Sequence, residues 1–239
     1  MSGQWKLAVL GLVVGLVTLG GCLKDGDNGV YQVSAVRALN AVPGAGQLDI
    51  GLNESWLNYD LQTNEVEDFG YRDTLPYKKA WPGTRTVGVF EREDTTVGSP
   101  LVQRSVQFNP GVFYSLYVIG TTDDMELMVT EDDLSAPAAG QAKIRFMNLS
   151  PDAPALDFGA TESDTLIADN LAFKEVQDFV EVDGGEMYTF IVSRHRGGGA
   201  VHSFEFKPES DRIYTIWVRG LFADTGNSDL GFGHDILVH

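Results

Sequence analysis

The residue types best suited to metal binding or acid–base chemistry are the four histidines, His195, His202, His234 and His239. Their spacing matches neither H-x-x-x-H nor H-E-x-x-H, and the single cysteine of the chain offers them no thiolate partner for zinc. His202 and His234 would meet only if their strands were neighbours. The sequence therefore predicts structural or surface histidines, with no metal centre and no cofactor.

One oxygen-rich loop is a candidate calcium site. Asp224, Asn227 and Asp229 lie close together around Gly226 and supply the oxygen ligands that Ca²⁺ prefers. The ligand order of an EF-hand is absent, and aspartate-rich loops are also ordinary turns. An ordinary turn is the simpler prediction for these residues.

Segment 52–82 holds residue types suited to sugar binding. Trp56, Tyr59 and Trp81 occur there among polar asparagines and aspartates, and the matching stretch of the second half is poorer in aromatic residues. Aromatic faces can stack on sugars, and Asn and Asp can hydrogen-bond to hydroxyls. Large aromatic residues are usually core anchors, so packing of Trp56 and Trp81 inside the protein is the favoured interpretation. A glycan site formed by Trp56, Tyr59 and Trp81 is the alternative.

Sequence motifs of catalytic centres are absent. The chain has no G-x-S-x-G elbow, no P-loop and no dinucleotide fingerprint. A carboxylate pair for glycoside hydrolysis is defined in space and leaves no spacing signature. We therefore expect a non-enzymatic scaffold or binding module for a glycan or protein partner. A hydrolase of extracellular polymers and a purely structural envelope component are the alternatives.

An internal repeat positions these residues. Residues 36–40 (VRALN) recur as 144–148 (IRFMN), and 48–51 (LDIG) recur as 156–159 (LDFG), both at an offset of 108. Such self-similarity indicates homologous structural units. We predict repeat 1 at residues 32–133, a linker at 134–141 and repeat 2 at 142–239.

Both repeats have the sequence pattern of β-strands. Residues 84–90, 101–108 and 112–119 are short runs rich in Val, Phe, Tyr and Thr, bounded by Gly, Pro or Asp. Residues 202–207 alternate large apolar or aromatic positions with polar ones, as in a strand with one buried side. The density of strands and turns predicts an all-β fold of two tandem immunoglobulin-like β-sandwich domains.

The opening of repeat 2, residues 143–157 (KIRFMNLSPDAPALD), resembles domain-of-unknown-function family four-three-nine-seven. Members typically begin V-R-F-x-N-x-S-P-D-A-P-x-V-D, and the resemblance implies a β-sandwich of exported bacterial proteins without an agreed activity. In repeat 1 the match is looser, because VPGAG at 42–46 replaces the Ser-Pro-Asp-Ala-Pro turn. The Ser-Pro-Asp segment suits a tight turn. Across the hairpin closed by this turn we expect pairing of Arg37 with Asp49 and of Arg145 with Asp157.

The first residues predict export and a lipid anchor. Lys6 precedes an apolar run at 7–19, whose length as a helix, about 20 Å, is short of the ~30 Å hydrocarbon core. A short charged start followed by this run is typical of a signal peptide, residues 1–21. The sequence Leu-Gly-Gly-Cys at 19–22 resembles a lipobox, which implies lipidation at Cys22, followed by a polar tether at 22–31.

The net charge and the predicted cellular location together define the expected binding partners. The formal net charge of −17 disfavours nucleic acid and anionic membrane surfaces, both of which are bound through Lys and Arg. We expect a cell-envelope lipoprotein that is lipid-anchored to the outer membrane, in a periplasmic or a surface-exposed orientation. Its expected partners are the membrane, through the anchor, and a glycan or an envelope protein.

Replacing the lipidated residue tests the predicted membrane anchor. The Cys22→Ser variant should lose its diacylglycerol and leave the membrane fraction as a folded protein, because no other anchor is predicted. Membrane fractionation with immunoblotting, with circular dichroism of the released protein, measures this. Persistent membrane association of Cys22→Ser would contradict the lipid anchor.

Overall fold

Strands rich in apolar residues form the part of the chain that the structure describes. The computed structural model describes residues 32–53, 55–92, 99–161, 166–224 and 229–239. The signal peptide, Cys22 and the tether predicted from the sequence lie outside these ranges. Among the described residues there is no α-helix, and none long and apolar enough to cross a membrane. The expected all-β class is confirmed.

Within the described ranges, ten strands belong to the first half of the chain and eight to the second. The first ten are β1 (Ser34–Asn40), β2 (Leu48–Leu52), β3 (Ser55–Trp56), β4 (Tyr59–Asp60), β5 (Glu65–Val66), β6 (Thr74–Ala80), β7 (Gly83–Glu91), β8 (Val102–Phe108), β9 (Phe113–Thr121) and β10 (Asp124–Glu131). The others are β11 (Gln141–Asn148), β12 (Leu156–Ala160), β13 (Leu166–Leu171), β14 (Val180–Asp183), β15 (Tyr188–Arg194), β16 (Ala200–Phe206), β17 (Ile213–Arg219) and β18 (Gly233–Val238).

Each repeat is a β-sandwich of two four-stranded sheets. In repeat 1 the sheet orders are β10-β9-β1-β6 and β3-β2-β7-β8; in repeat 2 they are β14-β11-β17-β18 and β13-β12-β15-β16. The first strand of each repeat pairs in parallel with a late one, β1 with β9 and β11 with β17. A separate apolar cluster fills each sandwich.

The central strands β1, β9, β11 and β17 of two of these sheets are buried on both faces. On β11, Ile144 and Phe146 point into the sandwich, while Arg145 and Met147 point to the other side, as the two-residue period of a strand requires. The outward side chains of these sheets meet in a third apolar cluster that joins the repeats. Its buried members are Leu39, Ala41, Tyr117, Ile119, Met147, Leu149, Trp217 and Leu237.

A buried ion pair lies between the repeats. Arg145 Nη2 donates to Asp132 Oδ1 at 2.6 Å, and the two side chains are 3% and 0% exposed. Arg145 also donates to Tyr117 Oη and Thr215 Oγ1, each at 2.7 Å. The second oxygen of Asp132 accepts from Ser115 Oγ at 2.6 Å and from a tyrosine of β6. Every strong hydrogen-bonding direction of the carboxylate is thereby used.

The predicted pairing of these arginines with the motif aspartates is wrong. Arg145 pairs with Asp132, and Arg37 donates instead to the carbonyl of Val238 at 2.9 Å. The physical reason is strand alternation. Arg37 and Asp49 lie on opposite outer faces of one sandwich, because their neighbours in sequence fill the space between the sheets.

Removal of Asp132 tests the buried pair. Asp132→Ala should lower the free energy of unfolding by about 3–5 kcal/mol, because Arg145 would stay buried without its counterion. Urea denaturation of the full chain measures the change. Glu126→Ala is the matched control: it removes the exposed pair between Glu126 and Lys174, 44% and 42% exposed, and should cost less than about 1 kcal/mol. Equal effects of the two substitutions would contradict a special role of the buried pair.

Candidate functional site

The outer face of sheet β3-β2-β7-β8 carries uncharged polar side chains. On β7, Val87 and Val89 point into the core, so Thr84, Thr86 and Gly88 point outward. Their partners on β8 are Gln107, Ser105 and Gln103, in that order, and all three are exposed. Thr84 Oγ1 donates to Gln107 Oε1 at 2.8 Å. We call the five exposed residues Thr84, Thr86, Gln103, Ser105 and Gln107 the polar face.

Trp56 lies at one end of the polar face. It pairs with Gly51 across β2 and β3, and Gly51 in turn pairs with Gly88. A Cβ at Gly51 would lie 3.5 Å from the indole ring, which therefore rests directly on the glycine backbone. The ring meets Phe90 edge-on at 5.2 Å between centroids, and 45% of the Trp56 residue is exposed. A Cβ at position 88 would come within 2.9 Å of the Phe90 ring, so the ring would have to shift for any residue other than glycine there.

Trp81 lies beyond the other end of the same strand. It is 64% exposed and precedes Gly83, where β7 begins. From Gly83 to Gly88 the strand extends about 17 Å at ~3.3 Å per residue, so the backbone of Trp81 and the Gly88 position near Trp56 lie towards opposite ends of the polar face. Neither tryptophan is a buried core anchor, but Trp56 does pack against the sandwich, through Gly51 and Phe90.

Tyr59 lies in the two-stranded sheet β4-β5. Its hydroxyl hydrogen-bonds to the side chain of Asn64, and its carbonyl accepts from Lys78 Nζ at 3.3 Å. Tyr59 is half-buried, and these local contacts hold it in the segment that follows Trp56.

Repeat 2 lacks the aromatic part of this face. Gly159 is the counterpart of Gly51. It pairs with Ile191, where Gly51 pairs with Gly88. On its other side it pairs with Leu166, where Gly51 pairs with Trp56. The neighbouring strand places a carboxylate, Glu205, opposite Thr189. Repeat 2 therefore serves as an internal control for the role of Trp56, because it carries Leu166 at the equivalent position.

A cleft of about 450 Å³ lies between the repeats. Its lining residues are Tyr71, Arg72, Asp73, Thr74, Trp217, Asp235, Ile236 and Leu237. Asp235 accepts two hydrogen bonds from Arg72, at 2.7 and 2.8 Å, and one from Arg219 at 2.8 Å. Both oxygens of this carboxylate are occupied by guanidinium groups.

The calcium hypothesis stays a prediction. Asn227 lies outside the described residues. Asp224 follows β17, with its N–H bonded to the carbonyl of Leu221 at 3.1 Å, and Asp229 is exposed.

Two of the histidines meet across a sandwich. His202 on β16 and His234 on β18 belong to facing sheets, and His202 Nε2 lies 2.8 Å from His234 Nδ1. The two strands are neighbours across the sandwich and belong to different sheets, which fulfils the condition stated for this contact. His234 also stacks on Phe204 at 3.6 Å between ring centroids. Burial, reinforced by repulsion from His202, lowers the pKa of His234 to about 4.

His239 lies between the repeats. Its ring nitrogens lie 2.8 Å from Tyr77 Oη and 2.7 Å from Thr215 Oγ1. Burial lowers the pKa of His239 to about 3, although nearby Asp132 opposes the shift. A neutral imidazole is therefore part of the same buried polar network as Asp132.

The fourth histidine forms a cluster that the sequence analysis missed. His195 Nδ1 lies 2.9 Å from Asp157 Oδ1 and 3.2 Å from Asp169 Oδ1, and one ligand atom of each residue lies within 4.8 Å of the others. Burial opposes ionisation of Asp157, but hydrogen bonds from the N–H of Asn170 and from His195 hold its pKa below the ordinary value. Only the repeat of Asp49 as Asp157 marked this place in the sequence.

The buried histidines should make the fold sensitive to acid. His234 and His239 bind protons near pH 6.5 in the unfolded chain but only near pH 4 and 3 when folded. Below pH 6.5 the unfolded state therefore binds more protons, and the free energy of unfolding should fall from pH 6.5 towards pH 4. Urea unfolding at several pH values measures this. The His234→Gln variant should show a shallower decline, and an identical decline would contradict the assignment.

Comparison with known proteins adds a family. No curated protein matches the chain. CBMbc of family CBM26, from Eubacterium rectale Amy13K in complex with maltoheptaose, is similar at 10% identity, 87% coverage of this chain, 96% of that one and a TM-score of 0.26. A candidate adhesin from Bacteroides ovatus has 9% identity, coverages of 87% and 94% and a TM-score of 0.17. Because both TM-scores are low, we assign the architecture only from the strand order of the sheets.

One protein family matches more than half of the chain. Residues 34–159 match the domain of unknown function DUF4397, so the match begins at β1 and ends in β12 of repeat 2. It confirms the resemblance seen in the opening motif. The chain belongs to the DUF4397 family.

Proposed function

We propose that this protein is a non-enzymatic envelope lipoprotein that binds a neutral glycan on the polar face of repeat 1. The observation that carries the proposal is the exposed indole of Trp56 beside five exposed side chains that hydrogen-bond without charge. The anchor at Cys22 and the outer-membrane location are part of the same proposal.

The chemistry of the polar face suits carbohydrate. Amide and hydroxyl groups of glutamine, serine and threonine both donate and accept hydrogen bonds, as sugar hydroxyls do. The indole supplies an apolar surface with little conformational entropy to lose, because its ring already packs on Gly51 and Phe90. The absence of charge from this row, in a chain of net charge −17, favours a neutral ligand over an ionic one.

The position of the face suits an extended polymer. Strand backbones hold the polar side chains in a row, with the exposed Trp56 near one end and the backbone of the exposed Trp81 just before the other. Sites built on strands are held more precisely than sites on loops. We therefore propose that a polysaccharide lies along β7, with Trp56 at one end and Trp81 and Tyr59 as further contacts.

A hydrolase is the less favoured alternative. It would need a free carboxylate pair in a cleft. In the described cleft, Asp235 is engaged by two arginines, and Asp73 Oδ2 accepts from the N–H of Gly70 at 2.8 Å. This engagement supports a binding role in place of a catalytic one.

The finer architecture belongs to the proposal as well. Two facing sheets per repeat of about 100 residues support an immunoglobulin-like assignment, with boundaries at 32–133 and 142–239. The parallel pairing of the first strand is a variation on antiparallel immunoglobulin sheets.

Binding to a polysaccharide panel tests the glycan proposal. The full chain, purified in mild detergent, should bind at least one neutral polysaccharide in affinity electrophoresis. Trp56→Ala should weaken binding about tenfold, equivalent to ~1.4 kcal/mol, because it removes the aromatic contact at one end of the polar face.

Leu166→Ala is the matched control, since Leu166 is the exposed counterpart of Trp56 in repeat 2 and should leave binding unchanged. Trp81→Ala tests how far the site extends along β7. Unchanged binding in Trp56→Ala, or no binding to any polymer by the folded protein, would contradict the proposal.

A further inference from the structure

The two repeats carry different residues at one equivalent structural position, an arginine in repeat 1 and a histidine in repeat 2. In repeat 1, Arg92 follows β7, and its N–H bonds to the carbonyl of Gln47 at 3.2 Å. In repeat 2, His195 follows β15, and its N–H bonds to the carbonyl of Ala155 at 3.0 Å. Gln47 and Ala155 are themselves 108 residues apart, the offset of the repeat. Arg92 and His195 are therefore equivalent residues of the fold.

Each equivalent residue lies between two carboxylates. Arg92 contacts Asp49 Oδ1 at 3.2 Å and Asp68 Oδ1 at 2.9 Å. His195 Nδ1 contacts Asp157 Oδ1 at 2.9 Å and Asp169 Oδ1 at 3.2 Å. The position thus places a nitrogen donor between two acidic groups in both repeats.

The difference lies in the charge that each nitrogen donor supplies. The guanidinium of Arg92 is permanently positive and presents several N–H groups, so it satisfies both carboxylates at once. An imidazole is positive only when protonated, and a single Nδ1 proton is shared by Asp157 and Asp169. Among the described residues, their salt bridges come from His195 alone. Repeat 2 therefore lacks the permanent cation that repeat 1 carries at this place.

We propose that Asp157, Asp169 and His195 bind a divalent cation of the zinc class. The ion takes the place of the Nδ1 proton and supplies the positive charge that Arg92 supplies in repeat 1. The three residues come from β12, β13 and the end of β15, which are adjacent in one sheet. A bound ion would clamp these three strands together at one end.

The geometry fits the proposed ion. Ligand atoms about 2.1 Å from a tetrahedral zinc are about 3.4 Å apart. The observed 2.9 and 3.2 Å separations from Nδ1 need only small adjustments to reach this spacing. Asp169 is 66% exposed, which leaves an open side for a water ligand. Asp157 Oδ1 accepts from the N–H of Asn170 at 2.8 Å, a contact that orients the inner carboxylate. The imidazole nitrogen favours zinc over calcium, which prefers oxygen ligands.

Zinc titration tests the proposal. Isothermal titration calorimetry of the chelator-treated full chain with zinc chloride should show one strong site. Asp169→Asn and His195→Gln should each weaken it at least tenfold, and zinc should raise the thermal unfolding midpoint of the parent but not of Asp169→Asn. Asp169 is exposed, so its variant decides the result even if His195→Gln fails to fold.

The matched controls are Asp68→Asn, at the equivalent cluster of repeat 1, and His202→Gln, which removes a different half-buried imidazole; both should retain the parent affinity. Absence of a strong site in the parent would overturn the proposal. Equal zinc affinity in the parent and Asp169→Asn, or loss of the site in His202→Gln, would overturn it as well.

Discussion

The arrangement of the two repeats depends on the ion pair of Arg145 with Asp132. Both side chains are inaccessible to water, and burying such charges is unfavourable unless hydrogen bonds replace hydration. Here Tyr117, Thr215 and Ser115 provide those bonds from strands of both repeats. The need of the Arg145 and Asp132 side chains for these partners favours a relative position of the two inner sheets that brings them together. Apolar contacts around the pair would tolerate several positions.

This constraint explains which surfaces are free to differ between the repeats. The sheets containing β1 and β11 cover each other, so their outward residues are committed to packing. Among the described residues, none forms a comparable apolar cluster on the outer faces of the sheets containing β7 and β15. The aromatic pair of Trp56 with Phe90 in repeat 1, and the cluster of Asp157 with His195 in repeat 2, both lie on those freer sheets. Functional divergence of a duplicated sandwich is expected where packing does not dictate the side chain.

Several features were predictable because they depend on local chemistry. The strand of residues 202–206 followed from its period of two, and the family followed from the motif at 143–157. Other features depended on contacts between distant residues. The partner of Arg145 comes from beyond the end of β10, thirteen residues earlier and in the other repeat, and no pattern around Asp132 marks it. Trp56 and Trp81 were expected in the core because large aromatic residues usually lie there, yet glycines at 51 and 88 create a surface on which Trp56 can pack while exposed.

By itself, the sequence predicted the all-β class and the family, because strand periodicity and a family motif are properties of neighbouring residues. The duplication indicated by the 108-residue offset stays a prediction. The sequence also supports the expectation of a lipid anchor at Cys22, which lies outside the described residues. Only the tertiary structure decided which side of each sheet faces the other repeat, where the motif aspartates find their partners and which tryptophans reach the surface. The physical reason is that alternation assigns a residue to one of two faces, whereas the packing of four sheets decides what each face meets.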